Sequence, residues 1–131
     1  MNTINSITLF VALNLLIVGL SHVLQPRMWL CFFQLLTKKG IAGNAINALL
    51  HFGFGSLIVS FHFLWSWPRV LITFYGALVA LKGIIYLFFS SIGVKSVSSL
   101  NENNINKFKW AGLVMAVLSI PLFYNLSNIW I

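Results

Sequence analysis

Residues 70–89 read VLITFYGALVALKGIIYLFF, and this stretch decides the fold class. A helix needs about 20 apolar residues to cross the hydrocarbon core of a bilayer, which is the length of this run. Its Leu, Ile, Phe and Val residues together favour insertion by roughly 5 kcal/mol, whereas a lysine near the centre costs roughly 2.5 to 3.5 kcal/mol. The stretch therefore predicts a transmembrane helix that inserts in spite of Lys82.

Three further apolar runs predict three more spans. They cover Ile4 to Leu24, Asn44 to Trp65, and Trp110 to near the C-terminus. The first run lacks a basic segment before it and a small-residue cleavage pattern after it, so we expect a retained span and not a signal peptide. Pro26 ends the first helix, and Pro121 predicts a kink in the fourth, because proline lacks the backbone N–H.

The composition leaves room for little besides these spans. The chain has 131 residues, of which 60% are hydrophobic and 7% charged, whereas soluble domains are about 25% charged. We therefore predict an all-α polytopic membrane protein, with residues 1–131 forming a single four-helix transmembrane domain of two hairpins.

The segments between spans differ in character. Between the first and second spans lies RMWLCFFQLLTKK, residues 27–39, whose apolar and polar side chains fall on opposite helix faces. The apolar face carries Trp29, Phe32, Phe33 and Leu36, and the polar face carries Arg27, Gln34 and Lys38. This pattern predicts an amphipathic helix lying in the membrane interface. The polar segment 90–109, SSIGVKSVSSLNENNINKFK, predicts a mobile loop.

Basic residues predict the orientation. Six of the eight lie in the first and third connections, one lies in the second, and none lies at either terminus. Because positively charged loops stay in the cytoplasm, both termini should face away from it. The net charge of +7 does not predict nucleic-acid binding, because the basic residues are scattered between apolar runs and form no stripe.

Two pairs of segments suggest a tandem repeat. GLSHVLQP (19–26) and GIIYLFFS (83–90) are offset by 64 residues, and INALLHFG (46–53) and INKFKWAG (105–112) by 59. Each pair shares a glycine at one position, and the second pair also shares Ile-Asn. Two hairpins in the same orientation would give a parallel repeat about an axis along the membrane normal.

The first hairpin resembles the YjeT-like family of small two-helix bacterial inner-membrane proteins. Residues 10–62 carry the resemblance: Gly19, Leu20, Leu24, Pro26 and Trp29 match a Gly-Leu, then Leu-x-Pro-x-x-Trp pattern. His51, Phe52 and Gly53 match its Arg-Phe-Gly step, with His in place of Arg. The family is uncharacterised, so the resemblance implies architecture and a bacterial inner membrane, and no activity.

Polar side chains within the first two spans are costly in lipid and therefore informative. In the first span they are Asn14, Ser21, His22 and Gln25; in the second they are Asn44, Asn47, His51 and His62. One interpretation is that the two stripes face each other and hydrogen-bond across the bundle. The alternative is that His22 and His51 hold a haem iron, although no cofactor is required by the sequence.

Lys82 allows three interpretations. Its ammonium group can snorkel to the interface, it can lose its proton, or it can point inward between Tyr75 and Tyr86 and bind an anion. The chain has a single acidic residue, Glu102, in the polar segment. An anionic lipid headgroup or solute is then the natural partner.

The small number of potentially catalytic side chains argues against an enzymatic function. With no Asp, one Glu and one Cys, the chain cannot assemble paired carboxylates, a Ser/His/Asp triad or an intrachain disulfide. We therefore expect no catalytic residues and no metal site. The leading prediction is a non-catalytic accessory or assembly subunit that contacts membrane lipids and a protein partner or further copies. The alternatives are a small oligomeric transporter or channel and a haem-binding subunit.

Overall fold

The computed structural model describes residues 1–130, with the side chain of Trp130 left out of the description. Six α-helices and one 3-10 turn account for most of this part of the chain. The helices are α1 (Thr3–Leu24), α2 (Pro26–Lys38), α3 (Gly40–Phe61), α4 (Val70–Phe88), α5 (Ser90–Ser98) and α6 (Ile105–Trp130), with the 3-10 turn at Glu102–Asn104. Residues 1–130 contain no strand, and the predicted all-α class is confirmed.

Four helices are long and apolar enough to cross a membrane. They are α1, α3, α4 and the helical segment Glu102–Ile129. The surface agrees with a lipid environment, because Ile17, Leu78 and Phe88 are 61%, 64% and 80% exposed. Apolar side chains exposed along whole helices would be unstable in water and are stable in lipid.

The second span begins and ends earlier in the sequence than predicted. It begins at Gly40, four residues before Asn44, and it ends at Phe61, well before Trp65. Gly40 has a φ of 57°, which a glycine adopts without strain and which allows a sharp turn between α2 and α3. Thr73 holds the chain after Phe61: its hydroxyl donates to the carbonyl of Leu64 at 2.8 Å and accepts the Leu64 N–H at 3.0 Å.

The prediction of a mobile loop over residues 90–109 is wrong for Ser90–Ser98, which forms α5. Tertiary contacts hold this helix against the spans, and these contacts could not be predicted from its polar composition. The Tyr86 hydroxyl donates to Ser96 Oγ at 2.9 Å, and Gly93 lies directly against the side chain of Asn44. The fourth span correspondingly begins at Ile105 and not at Trp110, and it runs through Pro121 as one helix.

The four spans form two closely packed pairs, α1 with α6 and α3 with α4. Glycines permit both approaches. Gly19 faces Gly112, where an added Cβ would lie 2.7 Å from the Gly112 carbonyl oxygen, and Gly83 lies directly against the backbone of Phe52. The first two spans are therefore not each other's main packing partners, so their polar stripes do not meet along the helices as the first interpretation required.

The same backbone geometry occurs at the end of α1 and at the end of α4, which are equivalent positions in the two halves of the predicted repeat. Gln25 ends α1 with φ −128° and ψ 52°, and Phe89 ends α4 with φ −123° and ψ 71°. Both residues donate their N–H to the carbonyl four residues earlier at 2.8 Å, and both begin a new short helix at the next residue. Exchanging α1 with α4 and α3 with α6 would also exchange the two packed pairs, but the contact of α2 with α3 has no counterpart of similar extent between α5 and α6. The tandem repeat therefore stays a prediction.

Helix α2 contacts both α5 and α6. The two basic connections therefore lie at one end of the bundle, which we call the basic end. The opposite end carries the segment between α3 and α4, the N-terminal end of α1 and the C-terminal end of α6.

Candidate functional site

The largest described cavity lies between the two helix pairs and is covered by α2. Its volume is about 760 Å³, within the range of roughly 300 to 1,000 Å³ that is usual for ligand sites. Five helices line it, with Val18 and His22 from α1, Met28, Trp29, Phe32 and Phe33 from α2, Asn47, Leu50 and His51 from α3, Tyr75, Leu78, Val79 and Lys82 from α4, and Met115 from α6. We call it the aromatic cavity.

The aromatic cavity brings together most of the predicted site residues. His22, Asn47, His51, Tyr75 and Lys82 all line it. Tyr86 is buried and lines a neighbouring cavity.

Asn14 does not join this site. Its side-chain amide donates to the carbonyl of Phe10 at 2.8 Å, within the same helix. One N–H of the Asn14 amide is therefore satisfied within α1, and Asn14 does not line the aromatic cavity.

Both cavity histidines are anchored to their own helices. The Nδ1 of His22 lies 2.8 Å from the carbonyl oxygen of Val18, and the Nδ1 of His51 lies 2.8 Å from that of Asn47. Because a carbonyl oxygen only accepts, Nδ1 carries the proton in both rings. The Nε2 atoms are then left for other partners, either as acceptors in the neutral ring or as donors in the charged one.

Lys82 is the principal charge of the site. Among the described residues that line the aromatic cavity it is the only Lys or Arg, and none is Asp or Glu. Its Nζ lies 5.5 Å from the centre of the Tyr86 ring, which places the ammonium group toward the basic end. Cation–π attraction of this kind contributes about 0.5 to 2 kcal/mol and leaves the N–H donors of the ammonium free.

Helix α2 supplies the aromatic wall. The Trp29 ring stacks on His22 at 4.2 Å between centroids, and its Nε1–H donates to Ser21 Oγ at 3.0 Å. Phe33 stacks on Phe108 of α6 at 5.9 Å. These contacts fix α2 against α1 and α6, and they make one side of His22 inaccessible.

A second, smaller cavity continues from the first toward the basic end. Its volume is about 330 Å³, and we call it the polar cavity. It shares His22, Phe33, Asn47 and Lys82 with the aromatic cavity, and its other lining residues are Tyr86, Ser96, Val97, Leu100, Lys107, Phe108 and Ala111. Ser96 and Lys107 were missed as site residues because they lie in the segment that was predicted to be a loop.

A separate polar cluster lies at the opposite end of the bundle. Arg69 donates from Nε to Asn125 Oδ1 at 3.0 Å and from its terminal nitrogen to Asn5 Oδ1 at 3.4 Å. His62 is fully buried beside Thr8, with 3.3 Å between its Nε2 and the hydroxyl oxygen. These bonds join α1, α4, α6 and the end of α3, so the cluster holds the bundle together at the end remote from the cavities.

Comparisons with known proteins add no function. No protein-family model, no curated protein and no solved structure matches this chain. The likeness of residues 10–62 to the YjeT-like family therefore stays a prediction. Within the described residues, no group of three or more His, Cys, Asp or Glu side chains is placed to hold a metal ion.

Proposed function

We propose that this chain is a small non-catalytic integral membrane protein that binds an anionic ligand between its spans. The observation that supports this function best is the position of Lys82, whose charge faces cavities that no carboxylate lines. The sole acidic residue, Glu102, is exposed in the 3-10 turn.

Lys82 lies within α4, one of the four helices that can cross the membrane. Charges within a span are costly and are usually paired or directed into a polar cavity. The Lys82 side chain is exposed, so a partner from outside the chain can reach its ammonium group and supply the missing negative charge. Asn47 and the Nε2 atoms of His22 and His51 line the same space and add hydrogen-bonding capacity.

Catalysis is not part of the proposal. A hydrolytic or transfer reaction would need a nucleophile with an oriented base. The aromatic cavity is lined by histidines but by no Ser, Cys, Asp or Glu, and the polar cavity, which is lined by His22 and Ser96, has no carboxylate to orient the histidine. An accessory or assembly subunit and a small oligomeric transporter both remain alternatives, because either can use a bound anion.

The proposed setting is the bacterial inner membrane, with both termini away from the cytoplasm and the spans packed as the pairs α1–α6 and α3–α4. Helix α2 would lie in the cytoplasmic interface. Its contacts with α5 and α6 support this placement, because they bring the basic connections to one end of the bundle.

Labelling tests the proposed orientation. In intact cells, single cysteines at positions 39 and 107, placed in a Cys31→Ser background, should both resist an impermeant maleimide and both react after permeabilisation. Cysteine at position 66, in the connection between α3 and α4, is the matched control and should react from outside. Labelling of positions 39 and 107 from opposite sides would contradict the proposed topology.

Purification tests the proposed ligand. From mild detergent, mass analysis should find an anionic small molecule or lipid in near-stoichiometric amount with the protein. A preparation that carries no such compound and binds neither added phosphate nor added sn-glycerol 3-phosphate would contradict the function. The same sample decides two alternatives, since a Soret band would indicate haem on His22 and His51, and a stoichiometric protein would indicate an accessory subunit.

A further inference from the structure

The aromatic and polar cavities share four lining residues, and together they make a path with different chemistry at its two ends. The polar cavity adds a cation, Lys107, and two hydroxyls, those of Tyr86 and Ser96, to the ammonium group of Lys82. The aromatic cavity is lined mainly by Met, Leu, Val and aromatic side chains. Lys82 belongs to both linings and so lies where the polar surface gives way to the apolar one.

A third cavity continues the apolar part of the path. It has a volume of about 310 Å³ and lies between α3 and α4, lined by Leu50, His51, Phe54, Tyr75 and Val79. All of these except Phe54 also line the aromatic cavity. From Tyr86 to Tyr75 the path runs for roughly 16 Å along α4, given a rise of about 1.5 Å per residue.

The apolar part of the path is bordered by side chains on the lipid-facing surface. Met28, Leu50 and Leu78 line the aromatic cavity and are 52%, 58% and 64% exposed. A hydrocarbon chain can therefore enter sideways from the bilayer without crossing a polar barrier, while a headgroup stays at the level of the basic end.

We infer that the ligand is a membrane lipid with an anionic headgroup. The headgroup occupies the polar cavity between Lys82 and Lys107, and an acyl chain lies in the aromatic cavity. Basic sites between transmembrane helices near the cytoplasmic face bind anionic lipids in this manner. This inference rests on the proposed function and specifies its ligand. A small anion would contact Lys82 but would leave the apolar part of the aromatic cavity unfilled, whereas an acyl chain would occupy it.

Native mass spectrometry of the delipidated protein in detergent tests this inference with three probes. They are dioleoylphosphatidylglycerol, dioleoylphosphatidylcholine and sn-glycerol 3-phosphate. We expect the anionic lipid to bind at least about tenfold more tightly than the zwitterionic lipid and the headgroup alone, because it alone combines charge with buried methylenes. The variant Lys107→Leu should lose at least about half of this preference, and Lys109→Leu, an exposed cation outside both cavities, should keep it.

A second pair of variants tests the acyl-chain site. Leu78→Trp should fill part of the aromatic cavity and weaken binding of the anionic lipid several-fold without affecting sn-glycerol 3-phosphate. Leu81→Trp is the control, since Leu81 is also exposed on α4 and lines none of the described cavities.

The outcomes separate this inference from the proposed function. If sn-glycerol 3-phosphate binds in a Lys82-dependent way and the lipid binds no better, the lipid inference is overturned and the proposed function stands. If none of the three probes binds, both fail. Equal binding of the two lipids, unaffected by Leu78→Trp, also overturns the inference.

Discussion

Replacing Lys82 with leucine is expected to weaken binding of an anionic ligand by roughly ten- to a hundredfold. A hydrogen bond to a charged group contributes about 1.5 to 3 kcal/mol, and each 1.4 kcal/mol changes a dissociation constant about tenfold. Isothermal titration of the purified protein with sn-glycerol 3-phosphate in detergent would measure the change. Lys82→Arg, which keeps the charge with a different donor geometry, should lose much less affinity.

Stability distinguishes this loss from misfolding. Leucine removes a residue whose insertion near a helix centre costs roughly 2.5 to 3.5 kcal/mol, so the Lys82→Leu protein should unfold no more easily than the parent. Lys109→Leu is the matched control, because Lys109 is exposed as Lys82 is but lines neither cavity. If Lys82→Leu binds the anion as tightly as the parent, Lys82 only snorkels to the interface and the proposed function is wrong.

The sequence was sufficient for the spans because hydrocarbon requires long apolar helices, and composition reports these directly. It predicted the ends of the first and third spans to within one residue, but not both ends of the second or the start of the fourth, where tertiary contacts act. The hydrogen bond of Thr73 to the carbonyl of Leu64 joins residues nine positions apart and holds the chain just after the second span ends at Phe61. Apolar periodicity does not report such a bond.

The candidate site was predicted in part for the same reason. His22, Asn47, His51, Tyr75 and Lys82 stand out because polar groups are rare in the spans, and the structure brings them to one cavity. Ser96 and Lys107 could not be identified, since nothing in a Ser- and Asn-rich segment shows that part of it returns to pack beneath Tyr86. The pairing of α1 with α6 was also missed, because single glycines that allow close approach are not distinguishable from other glycines in sequence.

One pair of glycines in α3 shows how far close approach controls the fold. A Cβ added at Gly55 would lie directly against the backbone nitrogen of Ala80 in α4, 2.7 Å from the Ala80 Cα and 2.7 Å from the Gly76 carbonyl oxygen. Real Cβ atoms do not approach backbone so closely, and backbone atoms cannot rotate away as a flexible side chain can. At Gly53, two residues earlier, an added Cβ would meet nothing within 4 Å.

Gly55→Ala should therefore destabilise the protein by at least about 2 kcal/mol, at the upper part of the range for overpacked cores. Gly53→Ala should be neutral or stabilising by about 0.5 to 1 kcal/mol, because alanine loses less conformational entropy than glycine in a helix. Unfolding of both variants in mixed micelles with increasing dodecyl sulfate, followed by helical circular dichroism, would measure the difference. Since the two changes add the same methyl group to the same helix, equal stabilities would mean that α3 and α4 do not pack through Gly55, and the cavities that depend on this pairing would lose their basis.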